Sequence, residues 1–195
     1  RMCKTDAEIS DATKVSVANQ SFIAESEDIP MPELNIYNKK ANVVVSKKRT
    51  YEAAAAYEEN HVAVHNFASA SNPGGGVVNG SGAQEECLCR CSNLYFCLNT
   101  PDMWGMFYTP HRAAHDPIHN DDIIYTPDIV VFKTDTDRPE LMERDAWYKV
   151  DVITCAAPNL RENPSNRYNS GDGTSAVMLS NKELQAIHEK RLRRI

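Results

Sequence analysis

Five of the eight glycines in this chain fall within nine positions, in Asn72-Pro73-Gly74-Gly75-Gly76-Val77-Val78-Asn79-Gly80-Ser81-Gly82, and the run leads directly into Ala83-Gln84-Glu85-Glu86. His61 to Phe67, before it, reads as a strand, and Ala83 to Leu98, after it, carries apolar residues at helical intervals. A strand that turns through glycines into a helix is a connection of layered α/β folds. Glycines remove the side chains that would block close approach, so backbone N–H groups of such a loop can face phosphate or sugar oxygens. Ser81 stands three residues before Gln84, the spacing of a capping box, which predicts Gln84, Glu85 and Glu86 in the first turns of the helix.

The rest of the chain fits the same class. Val43 to Val45, Ile129 to Phe132 and Val150 to Cys155 read as strands, with a weaker one at Lys14 to Val17. Tyr51 to Glu59 is alanine-rich and helical. A terminal helix from Lys182 has Ser180 and Glu183 at capping-box spacing and Leu184, Ile187, Arg191 or Leu192, and Ile195 on one stripe. Thr100 to Arg144 holds five of the ten prolines and Trp104, Phe107, Tyr108 and Tyr125, and reads as an excursion that is largely loop outside Ile129 to Phe132. Its aromatics fill a local core or cover a ligand. With no repeat and no low-complexity linker, residues 1–195 are expected to form one domain.

At 42% hydrophobic residues, disorder over the whole length is excluded. No apolar run approaches the ~20 residues that cross a bilayer, and no signal-peptide pattern is present near the start, so a cytoplasmic protein without a membrane partner is expected. The net charge of −6 gives no electrostatic footprint for duplex nucleic acid. Any polyanionic ligand must be held by local geometry.

Two clusters imitate metal sites. Cys87, Cys89, Cys91 and Cys97 crowd together, but on a continuous helix Cys89 points away from Cys87 and Cys91, so one zinc cannot collect them; they read as small apolar residues. His111, His115 and His119 recur at intervals of four before Asp121-Asp122, but Asp116-Pro117 interrupts the helix that would align them. At most two of the three share a face. A metal-dependent hydrolase built on His111, His115 and the aspartates stays a minor third reading.

The glycine loop is no Walker loop, since it lacks a Gly-Lys-Ser/Thr ending, and it lacks the spacing of a dinucleotide fingerprint. The residues that open the helix after it are acidic. Paired carboxylates beside such a loop point to acid/base work on a glycosidic bond rather than phosphoryl transfer, which calls for Lys, Arg or Mg²⁺. The plainer reading is that Glu85 and Glu86 complement the helix dipole.

Gly74-Gly75-Gly76, seven residues, then Gln84-Glu85-Glu86 resembles the signature of poly(ADP-ribose) glycohydrolases, and the flanking segments resemble their microbial-type branch. Asn66 to Pro73, Arg90 to Tyr95, Asp121 to Asp128, Lys149 to Thr154 and Ala157-Pro158-Asn159 carry that likeness, which runs from about Ala41 to Asn159 and leaves residues 1–40 as a poorly matched N-terminal extension. The resemblance implies a macrodomain-like three-layer α/β/α sandwich with a mixed sheet. It implies ADP-ribose or poly(ADP-ribose) as ligand, ADP-ribosylated proteins as further partners, and no cofactor or metal. Glu86 would protonate the departing ribose oxygen and then activate water, while Glu85 and Asn72 hold hydroxyls of the reacting ribose. Gly74, Gly75 and Gly76 would offer backbone contacts near that ribose and the diphosphate. Gln84 belongs to the motif as a ligand contact or a helix cap. Val77 stands where relatives place an aromatic over the distal ribose. Relatives also continue, past the terminal helix, into a strand and a second glycine-rich loop, for which Gly171-Asp172-Gly173 is no substitute; on that reading the chain is a C-terminally truncated part of a longer enzyme. The alternative to a glycohydrolase is a non-hydrolytic ADP-ribose-binding module or an inactive fragment of the enzyme; the intact Glu85-Glu86 pair favours the enzyme.

Overall fold

The computed structural model describes residues 6–30, 40–57, 61–160 and 179–195. Four strands, β1 (Ser21–Ile23), β2 (Ala63–Ala68), β3 (Ile123–Val131) and β4 (Tyr148–Ala156), form a mixed sheet in the order β1-β3-β4-β2. β2 runs parallel to β4 with Ala63 opposite Asp151 and Ala68 opposite Ala156, while β3 is antiparallel to both β4 and β1. The register of β3 shifts between Thr126 and Ile129, where Pro127 and the positive φ of Asp128 (55°) make a bulge. A bulge tolerates the proline that a regular ladder would reject.

Around the sheet lie α1 (Ala7–Ala18), α2 (Thr50–Ala54), α3 (Gln84–Cys91), α4 (Leu94–Leu98), α5 (Pro101–Met103), α6 (Thr109–Ala114) and α7 (Asn181–Arg194), with a π-helical turn at Trp104–Tyr108 joining α5 to α6. Val150, Val152 and Ala156 share one face of β4 and pack with Leu88, Leu94, Leu98, Phe107 and Tyr108 into the main core. Val130 and Phe132, of opposite parity to Ile129 and Val131 in β3, turn away from it and pack with Ile9 of α1.

Several sequence expectations are corrected. Lys14 to Val17 is helical, because Asp6 caps α1 by accepting from the Ile9 N–H at 3.3 Å and the β-branched run is too short to override that start. The strand beside it comes later, as β1. Val43 to Val45 forms no strand and stays 84%, 64% and 93% exposed, since β-branched residues without a paired neighbour gain nothing from extension. The expected helix from Ala83 to Leu98 breaks at Ser92-Asn93. Ser92 bridges to Val131, and the Asn93 side chain accepts from the Val130 N–H at 2.9 Å, so the sheet takes these two residues out of the helix. Cys89 and Cys91 are both buried although they stand two residues apart on α3, Cys97 is buried on α4, and the five described cysteines are free. Thr100 to Arg144 is mostly regular rather than loop: Thr100 caps α5, Pro101 takes its first turn, and Phe107 and Tyr108 enter the main core.

α2 continues as a 3₁₀ turn to Tyr57; the remainder of the helix expected to Glu59, with Gly171-Asp172-Gly173, lies outside the described residues. The capping box of Ser180 and Glu183 is present on α7, and Arg191, not Leu192, occupies its inward position. No helix among the described residues is long and apolar enough to cross a membrane.

Candidate active site

β2 delivers the chain to Ser69, and the glycine loop carries it through a 3₁₀ turn at Val77–Asn79 into α3. The loop and the start of α3 border a pocket of about 790 Å³, lined among others by Asn72, Gly75, Gly76, Glu86, Trp104 and Arg112. It opens where β2 and β4, running parallel, both end: Ala68 and Ala157 to Asn159 line it too. Ligands of parallel α/β units commonly sit at that end of the strands.

Gly75 and Gly76 border the pocket, and their N–H groups have partners within the protein. The Gly75 N–H donates to the Asn72 carbonyl at 3.0 Å, and the Gly76 N–H donates to Glu86 Oε1 at 2.8 Å. These donors are engaged inside the loop, where they organise it and hold a carboxylate. Gly75 has φ +57°, and a Cβ there would lie 2.5 Å from Glu86 Oε1 and 3.1 Å from Glu85 Oε2. Only glycine lets the loop lie this close to both acids. At Gly74 a Cβ would meet Tyr95 at 2.9 Å, so this residue lets the loop pack on α4.

The capping box expected from Ser81 is absent, because the N-cap is Ala83, without a side-chain hydrogen bond, and Ser81 packs against Gly76 instead. Gln84 is therefore neither a cap nor a pocket residue. Its Oε1 accepts from the Phe67 N–H at 3.0 Å and its Nε2 donates to the His65 carbonyl at 2.7 Å, pairing with β2 as a neighbouring strand would. This strap sets the height of α3 against the sheet.

Glu85 and Glu86 are both buried. Glu85 accepts from the Ser69 N–H at 2.8 Å and from Asn66 Nδ2 at 3.5 Å, behind the pocket wall. Burial pushes its carboxyl up to about 8, with the charge of Glu86 adding to the shift against the hydrogen bonds from Ser69 and Asn66. Glu86 does line the pocket, and its Oε2 is buried with no hydrogen-bond partner among the described residues. Asn72 lines the pocket, whereas Val77 packs against the main core and Val78 stands on the wall.

Sequence reasoning did not single out Arg112. Its Nε donates to the Ser71 carbonyl at 2.7 Å and its Nη2 to Asn72 Oδ1 at 2.6 Å, and its guanidinium lies 4.5 Å over the Trp104 ring. Trp104, which the sequence allows as either core or ligand cover, stands on the pocket wall. Asp121 and Asp122, candidate metal ligands beside the histidines, are tied elsewhere: Asp121 to Arg191 and Lys190, Asp122 to the Glu25 N–H and Asn120. His111 and His119 are buried with ring centroids 5.8 Å apart. Among the described residues, no group of three or more His, Cys, Asp or Glu is placed to hold a metal.

Residues 3–134 match the family described as microbial-type PARG, catalytic domain, PARG being poly(ADP-ribose) glycohydrolase. This chain belongs to the microbial-type poly(ADP-ribose) glycohydrolase family. The matched stretch begins at residue 3 and so takes in α1 and β1. The glycohydrolase of Thermomonospora curvata, solved bound to the inhibitor ADP-HPD, is similar at TM-score 0.69 and 30% identity over 94% of this chain and 61% of that one. That of Deinococcus radiodurans, in complex with ADP-ribose, is similar at TM-score 0.58 and 32% identity over 76% of this chain and 53% of that one. The chain thus spans less than two thirds of the length of these glycohydrolases. A search of curated proteins gave no match. The mixed sheet with its helices is the macrodomain-like α/β fold expected for a microbial-type glycohydrolase.

Proposed function

We propose that this chain binds ADP-ribose and carries the acid/base machinery of a glycohydrolase that cleaves the ribose–ribose bond of poly(ADP-ribose). One observation carries the reading: Glu86 stands on the pocket wall with one carboxylate oxygen fixed by the Gly76 N–H at 2.8 Å and the other without a hydrogen-bond partner among the described residues. A buried polar atom left unpaired beside a cavity is costly unless a ligand completes it. A pure binding module has no use for that arrangement, which favours the enzyme.

In this reading Glu86 protonates the oxygen of the departing ribose and then takes a proton from the attacking water. Gly76 fixes its position, so the free oxygen needs no search. Asn72 holds a hydroxyl of the reacting ribose. Glu85 works from behind the wall: protonated near neutral pH, it keeps a second full charge away from Glu86 while holding Ser69 at the loop entry. ADP-ribosylated proteins are further candidate partners, no cofactor is called for, and a reducing, cytoplasmic setting suits the free cysteines.

Glu86→Gln preserves shape and the acceptor for Gly76. Release of ADP-ribose from polymer should fall by ~10³-fold, while calorimetric affinity for ADP-ribose stays within about threefold. Near wild-type release by this variant removes Glu86 from the catalytic role.

A further inference from the structure

We propose that Arg112 is a positioning residue that fixes the side-chain amide of Asn72 as a hydrogen-bond donor toward the bound sugar. The proposal rests on the reading of the pocket as an ADP-ribose site and adds to it a part supplied by α6, remote in sequence from the glycine loop.

Three contacts define the device. Arg112 Nη2 donates to Asn72 Oδ1 at 2.6 Å, which occupies the acceptor end of the amide. Its Nε donates to the Ser71 carbonyl at 2.7 Å, so the planar fork grips two consecutive residues of the loop. The donor end of the amide, Nδ2, is left to Ser71 Oγ at 3.2 Å and to whatever enters the pocket. An asparagine amide turned by 180° would set its NH₂ against the guanidinium, donor against donor, so the arginine selects one of the two orientations. A sugar hydroxyl meeting Asn72 then meets an N–H.

The arginine is itself held. Its Cζ lies 4.5 Å over the Trp104 ring, and Trp104 Nε1 donates to Asn99 Oδ1 at 2.8 Å, which orients the indole beneath it. Trp104 opens the π-helical turn Trp104–Tyr108, and Arg112 lies on α6 directly after it. A π turn inserts an extra residue into a helix and is frequent at functional sites. Asn72, Asn99, Trp104 and Arg112 all border the pocket, so the chain of contacts lies along its wall.

Lysine offers no planar fork, which makes Arg112→Lys the informative change. In the full chain, Arg112→Lys should lower kcat for ADP-ribose release from polymer by about tenfold with a smaller change in KM. In an Asn72→Ala background the same change should alter the rate less than twofold, because residues acting through one another are not additive. Additive losses in the two backgrounds overturn the proposal, as does full activity of Arg112→Lys. Nitrogen-15 spectra give a readout that needs no activity. The Asn72 NH₂ resonances should be distinct and slowly exchanging in the parent and collapse toward free-amide positions in Arg112→Lys; unchanged resonances also overturn it. Failure of the parent protein to bind ADP-ribose would instead strike the functional reading, leaving the spectra to decide the positioning role.

Discussion

Glu85-Glu86 and Asp121-Asp122 are both pairs of adjacent acids, and all four residues are buried, yet the two regions treat their carboxylates in opposite ways. At Asp121 one oxygen faces Arg191 Nε at 2.6 Å and the other Lys190 Nζ at 2.6 Å. Asp122 accepts from the Glu25 N–H at 2.7 Å and from Asn120 Nδ2 at 2.8 Å, which completes its two oxygens. At the glycine loop, the partners holding the glutamates are backbone N–H groups and an amide, and Glu86 Oε2 has none among the described residues. A buried acid with a partner on each oxygen is part of the scaffold, whereas a buried oxygen left unpartnered beside a pocket is a candidate contact for a ligand.

The largest test of the comparison is on the scaffold side. Arg191 also donates to the carbonyls of Ala156 (3.0 Å), Ile118 (2.5 Å) and His119 (2.6 Å), so Arg191→Ala strands three acceptors and one oxygen of a buried carboxylate at once. The expected loss is ~3–5 kcal/mol. For a domain of this size that is roughly 10 °C in Tm. Asp121→Leu with Arg191→Met should recover only the share due to the broken ion pair, since methionine leaves the Ala156, Ile118 and His119 carbonyls without a donor. Under the role proposed for Glu86 no such recovery is expected there: its replacement should lower hydrolysis at little cost in stability. A Tm for Arg191→Ala within about 2 °C of the parent would show that the ion pair is not what holds α7.

Gly75→Ala probes the loop side with a smaller effect on stability. The new Cβ would fall 2.5 Å from Glu86 Oε1 at a φ of +57°. The backbone conformation alone costs ~1–2 kcal/mol for a non-glycine residue. Displacing Glu86 by even an ångström should lower hydrolysis ~10²-fold. Denaturant melts and a polymer-release assay on one preparation separate the two; full activity would show that the loop accommodates the methyl without moving the acid.

The glycine loop and its acids were legible in the sequence because a strand, a run of glycines and an acidic helix start are local and contiguous. Their partners were not. Gln84 looks like a cap three residues after Ser81, and only the approach of α3 to the open edge of β2 turns it into a strap across His65 and Phe67. The loop N–H groups look available in sequence, whereas folding aims that of Gly76 at Glu86. Arg112 is invisible because its role depends on a π turn and on a loop forty residues away, neither of which leaves a periodic trace. The two acid pairs cannot be told apart without the cations that α7 brings to one of them. Strands failed where pairing decides, as at Val43 to Val45. The long helix failed at Ser92-Asn93, where the edge of β3 competes for the backbone.

The two acid pairs also differ in how they couple stability to pH. Burial raises Glu85 from 4.5 to about 8, so between those values the folded protein holds a proton that the unfolded chain releases. Its contribution to stability is whole below about pH 4.5 and is lost as pH rises through about 8, with a limiting slope of ~1.4 kcal/mol per pH unit. Asp121 has the opposite sign. Burial alone would raise it, but hydrogen bonds from Lys190 and Arg191 together outweigh burial and hold it below its ordinary 3.8, so its contribution is present above that value and lost as pH falls through the depressed one. Glu85→Gln should therefore flatten the decline on the neutral side and leave the acid limb in place, while Asp121→Asn should do the reverse at a lower overall stability. Urea melts from about pH 3 to 9 on the parent and both variants check this. A Glu85→Gln curve that falls as steeply as the parent's between about pH 5 and 8 would mean that Glu85 is ionised in the folded state, and that a full charge does stand behind Glu86.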